Sequence, residues 1–152
     1  MEAYFDNSAT TIVTDSVKDI VVKTMTEDFG NPSAMHMVGV KAEKYIKEAQ
    51  ENIAKILKVD PKEIFFTSGG TESNNMAIIG TAMANKRKGN KIITTSVEHS
   101  SVLATMKYLE EQGFEVIYLP VDRYGVVQME ALEKEMTEDT ILVSTMLEQL
   151  SR

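Results

Sequence analysis

The segment Ile64-Phe65-Phe66-Thr67-Ser68-Gly69-Gly70-Thr71-Glu72-Ser73-Asn74-Asn75 passes from a short apolar run, through two adjacent glycines, into a polar stretch. The apolar run reads as a strand, and the glycines as a tight turn. The polar stretch opens a helix that extends to about Lys88. Beyond it the same alternation continues. Lys91 to Thr95 reads as a second strand, and a helix from near Ser100 places Val102, Leu103, Met106 and Leu109 inward and stops at Gly113. Phe114 to Leu119 is a third strand, Gln128 to Met136 a short helix, and Thr140 to Met146 a fourth strand. Strands that alternate with helices and carry continuous apolar runs predict an α/β fold of three layers, with a mostly parallel sheet covered on both faces. Such sheets hold ligands at the carboxyl ends of their strands.

Before the turn the sequence is helical. Residues 15 to 28 present Val17, Ile20, Val21 and Met25 on one face, with Thr14 or Asp15 as cap. Gly30-Asn31-Pro32-Ser33 breaks that pattern as a loop, and a long helix follows from about His36 to Lys58. Its stripe is Val38, Ala42, Tyr45, Ile46, Ala49, Ile53, Ile56 and Leu57, and its other face is rich in Lys and Glu. Asp60-Pro61-Lys62-Glu63 is a capping box with proline in the first turn, which predicts one short helical turn.

Composition narrows the functional classes. With 152 residues, 43% hydrophobic and 26% charged, the chain has the length and balance of one soluble domain. Its net charge of −7 argues against a nucleic-acid surface, which needs a concentrated basic face. The basic residues Lys86, Arg87, Lys88 and Lys91 cluster at a helix end, where cations suit the negative pole of the dipole. No apolar stretch is long enough to cross a bilayer, and no secretory signal is visible, so the expected location is the cytoplasm. The sequence contains no cysteine, which removes disulfides, thiolate metal sites and a cysteine nucleophile from these residues. His36 and His99, the two histidines, lack metal-ligand spacing, so no metal is expected. The ten methionines read as core filler.

The Thr67–Asn75 segment can carry chemistry. Paired glycines let the backbone come close to a ligand, and the helix that follows offers unpaired N–H groups and a partial positive charge to a phosphate. Ser68, Thr71 and Ser73 add hydroxyls. No lysine follows the glycines as in a Walker A loop, and the spacing is not that of a dinucleotide fingerprint. Taken alone, the loop is equally a tight connection between strand and helix.

Four segments in order change that balance. Tyr4-Phe5-Asp6-Asn7-Ser8-Ala9-Thr10-Thr11, Gly30-Asn31-Pro32-Ser33-Ala34-Met35-His36, the Thr67–Asn75 loop and Val97-Glu98-His99-Ser100-Ser101-Val102 together resemble the cysteine desulfurases. The resemblance runs from Tyr4 to about Met146. Ser8, the loop and the Glu-His-Ser-Ser-Val run favour the iron–sulfur assembly and nitrogen-fixation branch. It implies the N-terminal part of the large domain of a type I pyridoxal-phosphate (PLP) fold over residues 1–146, with 147–152 a tail that departs from the family pattern. It implies that Gly70 and Thr71 hold the PLP phosphate, and that His99 stacks on the cofactor ring and assists proton transfer as a neutral, partly buried imidazole. Asn7, Thr10 and Asn31 fall near the substrate mouth by the same resemblance, and equally suit turns and caps.

For the intact family the resemblance implies L-cysteine as substrate, L-alanine as product, a sulfur-acceptor protein as partner and a homodimer. The Schiff-base lysine, the aspartate on the pyridine nitrogen and the sulfur-accepting cysteine lie beyond these residues in the family pattern, so the chain alone is expected to be inactive. The lysines at 18, 23, 41, 44, 47 and 55 read as solvated faces of helices. Another class V aminotransferase and a non-catalytic interaction domain are the competing readings.

Overall fold

A computed structural model describes residues 3–7 and 9–147. The chain divides into two compact units, one ending at Phe66 and the other beginning at Thr67. Expectations for Ser8 and for most of the 147–152 tail lie outside the described residues.

In the first unit, α1 spans Asp15–Thr26 and α2 spans Met37–Leu57. The proline-led turn at Pro61–Glu63 is a 3-10 helix held by the expected capping box: Asp60 Oδ1 accepts from Lys62 N, and Glu63 Oε2 accepts from Asp60 N, each at 2.8 Å. The loop between α1 and α2 is fastened by close backbone packing. A side chain at Gly30 would collide with the Val38 carbonyl, and one at Gly39 with the Ala34 and Asn31 carbonyls. Asp28 supplies the polar anchor. Its carboxylate is buried and takes Lys41, Lys23 at 3.8 Å and the Tyr45 hydroxyl at 2.5 Å. The apolar face expected on α1 is present but uncovered, with Val17, Ile20, Val21 and Met25 all exposed.

In the second unit, α3 covers Gly70–Asn85, β1 Lys91–Thr95, α4 Ser100–Glu111, β2 Glu115–Leu119, α5 Met129–Glu135 and β3 Thr140–Val143. The sheet order is β2-β1-β3 and both pairings are parallel. Central β1 is covered on both faces, since Ile92 and Thr94 point one way, Ile93 and Thr95 the other, and all four are buried. Helices α3 and α4 pack on each other, α3 also on β3 and α4 on β2. Ile78, Ala82, Ile92, Val102, Met106, Leu109 and Phe114 form the core. Each large side chain buried there stabilises the unit by about 1.5–3 kcal/mol. Helix α4 ends as expected at Gly113, whose φ of 88° lets the Gly113 and Phe114 amides turn back to the Glu110 and Leu109 carbonyls.

Two strand expectations need correction. Ile64 to Thr67 is extended but pairs with no strand among the described residues, and Phe65 and Phe66 are exposed. An apolar β-rich run supplies the propensity for a strand, but a ladder requires a neighbouring backbone as well. The last strand stops at Val143, short of the Met146 expected from its apolar run. As an edge strand, β3 is only partly buried.

Candidate cofactor-phosphate site

The glycine turn forms the entrance to α3. Gly69 is the N-cap in an extended conformation, and Gly70 begins the helix. Space beside both glycines is open: a Cβ at either would meet nothing within 4 Å. The first amides of α3, at Gly70 and Thr71, have no acceptor in the helix, as at any helix start. Thr71 Oγ1 has no partner among the described residues, whereas the neighbouring hydroxyls do. Ser68 donates both its amide (2.7 Å) and its hydroxyl (2.6 Å) to Glu72 Oε2, and the Ser73 hydroxyl pairs with that of Thr67 at 2.6 Å. The two Ser68 donors, the hydroxyl first, hold the Glu72 carboxyl below its usual range. Of the four hydroxyls in the loop, Thr71 is therefore the one left available to an anion.

His99 is the N-cap of α4. Its Nδ1 accepts from Ser101 N at 3.1 Å and lies 2.8 Å from Ser101 Oγ. The ring is exposed, where partial burial was expected. The starts of α3 and α4 are tied together: Asn74 Nδ2 donates to Ser101 Oγ at 2.9 Å, and Thr105 Oγ1 donates to Asn75 Oδ1 and to the Ser101 carbonyl. Gly70, Thr71 and His99 are thus carried by two helix starts locked side by side, with α4 following the connection that leaves β1 at its carboxyl end. Immediately before His99, the buried Glu98 carboxylate accepts from Thr95 Oγ1 (2.9 Å) and Met146 N (2.8 Å), which joins the exits of β1 and β3.

Asn7, Thr10 and Asn31 belong to the other unit, where they serve turns. Asn7 accepts from the Thr11 hydroxyl, Thr10 Oγ1 lies 3.5 Å from the Tyr4 hydroxyl, and Asn31 Oδ1 accepts from Ser33 N at 2.9 Å. Nothing in the sequence alone assigns a role to Asn74, Ser101 or Glu98. All three sit inside the quoted motifs, but the Asn74–Ser101 and Glu98–Met146 pairings join residues 27 and 48 positions apart and have no local signature. Among the described residues no acidic, histidine or cysteine cluster could hold a metal, and no helix is long and apolar enough to cross a membrane.

A parallel α/β sheet with a glycine turn opening one of its covering helices defines a class, and residues 3–149 match the family model for aminotransferase class V. The chain belongs to that family. Within it the similar proteins are cysteine desulfurases. Cysteine desulfurase IscS 1 of Archaeoglobus fulgidus is 49% identical over 93% of this chain and 37% of its own length, and IscS of Methanosarcina thermophila is 50% identical over 94% and 35%. Among solved structures, a NifS-like protein superposes with a TM-score of 0.86 at 48% identity, covering 95% of this chain and 40% of its own. SspA in complex with cysteine superposes with a TM-score of 0.83 at 39% identity, covering 93% and 41%. The chain spans a little over a third of the length of the curated relatives it matches.

Proposed function

We propose that this chain is the cofactor-phosphate portion of a PLP-dependent cysteine desulfurase, which converts L-cysteine to L-alanine and passes the sulfur to an acceptor protein for iron–sulfur assembly. The intact enzyme is proposed to be a cytoplasmic homodimer. The carrying observation is the start of α3, where open space beside Gly69 and Gly70 meets free helix amides and the one unengaged hydroxyl, Thr71 Oγ1. A phosphate dianion fits that donor set. PLP, when bound, supplies an electron sink for the amino-acid substrate. In this reading Gly70 and Thr71 bind and orient the phosphate, while His99, on the adjoining helix start, faces the ring and manages a proton. Similarity to the cysteine desulfurases supports L-cysteine as the substrate, and so does SspA, a structural relative solved in complex with cysteine. Asn7, Thr10 and Asn31 are proposed for the substrate mouth on the family pattern alone.

Titrating the chain with PLP while following amide shifts tests the reading. Gly70, Thr71 and His99 should move together, and Thr71→Ala should weaken binding roughly ten- to a hundredfold, from the loss of a charge-assisted hydrogen bond of about 1.5–3 kcal/mol. Shifts that map instead to residues far from the α3 start would defeat the assignment. With no thiol in its sequence, the chain has nothing to carry a persulfide, so PLP and L-cysteine should yield sulfide and alanine only at the rate of free PLP. A reproducible excess from the pure chain would defeat the proposal that it needs further sequence for turnover.

A further inference from the structure

We propose that Asn74 and Ser101 are positioning residues for His99, reinforcing through their side chains the lone pair that the cap amide sets on Nδ1, and with it the proton on Nε2. The geometry of the relay stands without a cofactor, while its meaning for catalysis rests on the functional reading above. Because His99 Nδ1 accepts the Ser101 amide at 3.1 Å, that nitrogen bears the lone pair and the ring proton resides on Nε2. The Ser101 hydroxyl, 2.8 Å from the same Nδ1, must then be the donor. Its single hydrogen is thereby committed, and its oxygen is free to accept, which it does from Asn74 Nδ2 at 2.9 Å. All three hydrogens run one way, from Asn74 to Ser101 to His99. Ser101 is only 8% exposed, so little water competes for the hydroxyl, and each bond polarises the next. The other end of the ring is left as an Nε2–H donor.

Helix capping by itself does not require this arrangement, as the other histidine shows. His36 caps α2 in the same way, with Nδ1 accepting from Gly39 N at 3.3 Å, and it has no side-chain partner among the described residues. His99 has the same cap plus a hydroxyl plus an amide reaching from a second helix. That second helix is α3, which begins at Gly70 and Thr71. The relay therefore links the proposed phosphate cradle to the orientation of the ring histidine, and it would give the imidazole a defined polarity before any ligand arrives.

The two histidines make the test internal. In histidine-labelled protein at about pH 8.5, some two units above the ordinary imidazole value, long-range proton–nitrogen spectra report each ring nitrogen. His99 should be a single Nε2–H tautomer, with its Nδ1 resonance displaced to the hydrogen-bonded side of that of His36. Ser101→Ala and Asn74→Ala should each carry the His99 Nδ1 resonance toward the His36 position, and Ser101→Thr should hold it in place. Asn75→Ala, which cuts the neighbouring bond to Thr105 between the same two helices, should lower stability while leaving the His99 ring signals where they were. Unmoved His99 nitrogens in both Ser101→Ala and Asn74→Ala overturn the inference, as does a displacement by Asn75→Ala equal to that of Asn74→Ala. Because these spectra are taken without PLP, failure of PLP to bind would sink the cofactor reading and leave this result unaffected.

Discussion

The region from Thr67 onward and the region before it are held together by different physics. The largest fully buried side chains (Ile92, Ile93, Met106, Leu109, Leu119, Thr94 and Thr95) all belong to the later region. The earlier one buries Asp28, Gly39, Ala42 and Ala54, and leaves Ile12, Phe29, Ile56 and Phe65 exposed. One unit is stabilised by apolar volume removed from water; the other by close backbone contacts and one buried, ion-paired carboxylate. This difference predicts how each should respond to substitution. Removing volume should damage the later region, while the earlier one should respond to added volume and to charge.

Met106→Ala is the largest expected effect. Met106 has no exposure and belongs to the core that α3 and α4 build over the sheet, so truncation leaves a cavity worth about 2–5 kcal/mol. Urea unfolding followed by a probe in the sheet would measure it. A loss below about 1 kcal/mol would mean that the core collapses around the gap and that the contrast between the regions is weaker than it looks.

Next is the reverse manipulation in the earlier region. At Gly39 the added methyl of alanine would lie 2.7 Å from the Asn31 carbonyl oxygen and closer still to that of Ala34. These are backbone atoms that cannot rotate away, so the Gly30–His36 loop must shift. Overpacking of this kind costs about 1–3 kcal/mol, even though Gly→Ala in a helix is favourable by propensity. A thermal melt no lower than that of the parent would show the loop to be soft at Asn31 and Ala34.

Much of this architecture was legible in the sequence because its causes are local. The capping box at Asp60, the glycine stop at Gly113 and the α4 periodicity of Val102, Met106 and Leu109 each depend on residues a few positions apart, and each formed as read. The glycine turn was also legible, but which of its hydroxyls stays free was not. Glu72 and Thr67 take up those of Ser68 and Ser73, a competition that side-chain geometry decides. Ile64 to Thr67 misled because strand propensity says nothing about the presence of a partner strand. Asp28 gave no signal at all, since its burial depends on Lys41 and Tyr45 arriving from α2.

That carboxylate gives the third test, a pH dependence confined to the earlier region. Lys41 first, then Tyr45, hold the Asp28 carboxyl below its ordinary 3.8, despite the opposing effect of desolvation. A depressed carboxyl contributes stability that is fully present above its unfolded value and lost as pH falls through the folded one. Its partner Lys41 is raised above 10.5, so the same pair weakens again as pH climbs through that raised value. Amide exchange in α1 and α2 should therefore speed up below about pH 4, and Asp28→Asn should remove that dependence while leaving β1 protection unchanged. Acid sensitivity of α1 and α2 that persists in Asp28→Asn would place its origin in another group.

The smallest effect should come from a residue whose type alone suggests a large one. Ile56 lies in the last turn of α2 and is 78% exposed, so most of its side chain is in water in the folded chain as well as the unfolded one. Transfer energy accrues only for area that leaves water, and little does here. Alanine has the higher helix propensity by a few tenths of a kcal/mol, because it escapes the rotamer restriction of a β-branched side chain. Ile56→Ala should thus fall within about 0.5 kcal/mol of the parent, with the sign leaning toward stabilisation. Set beside Met106→Ala, the pair removes comparable apolar side chains from two helices and isolates burial as the variable. A loss above about 1.5 kcal/mol at Ile56 would mean that this side chain is covered in solution, and that the earlier region has an apolar core of its own after all.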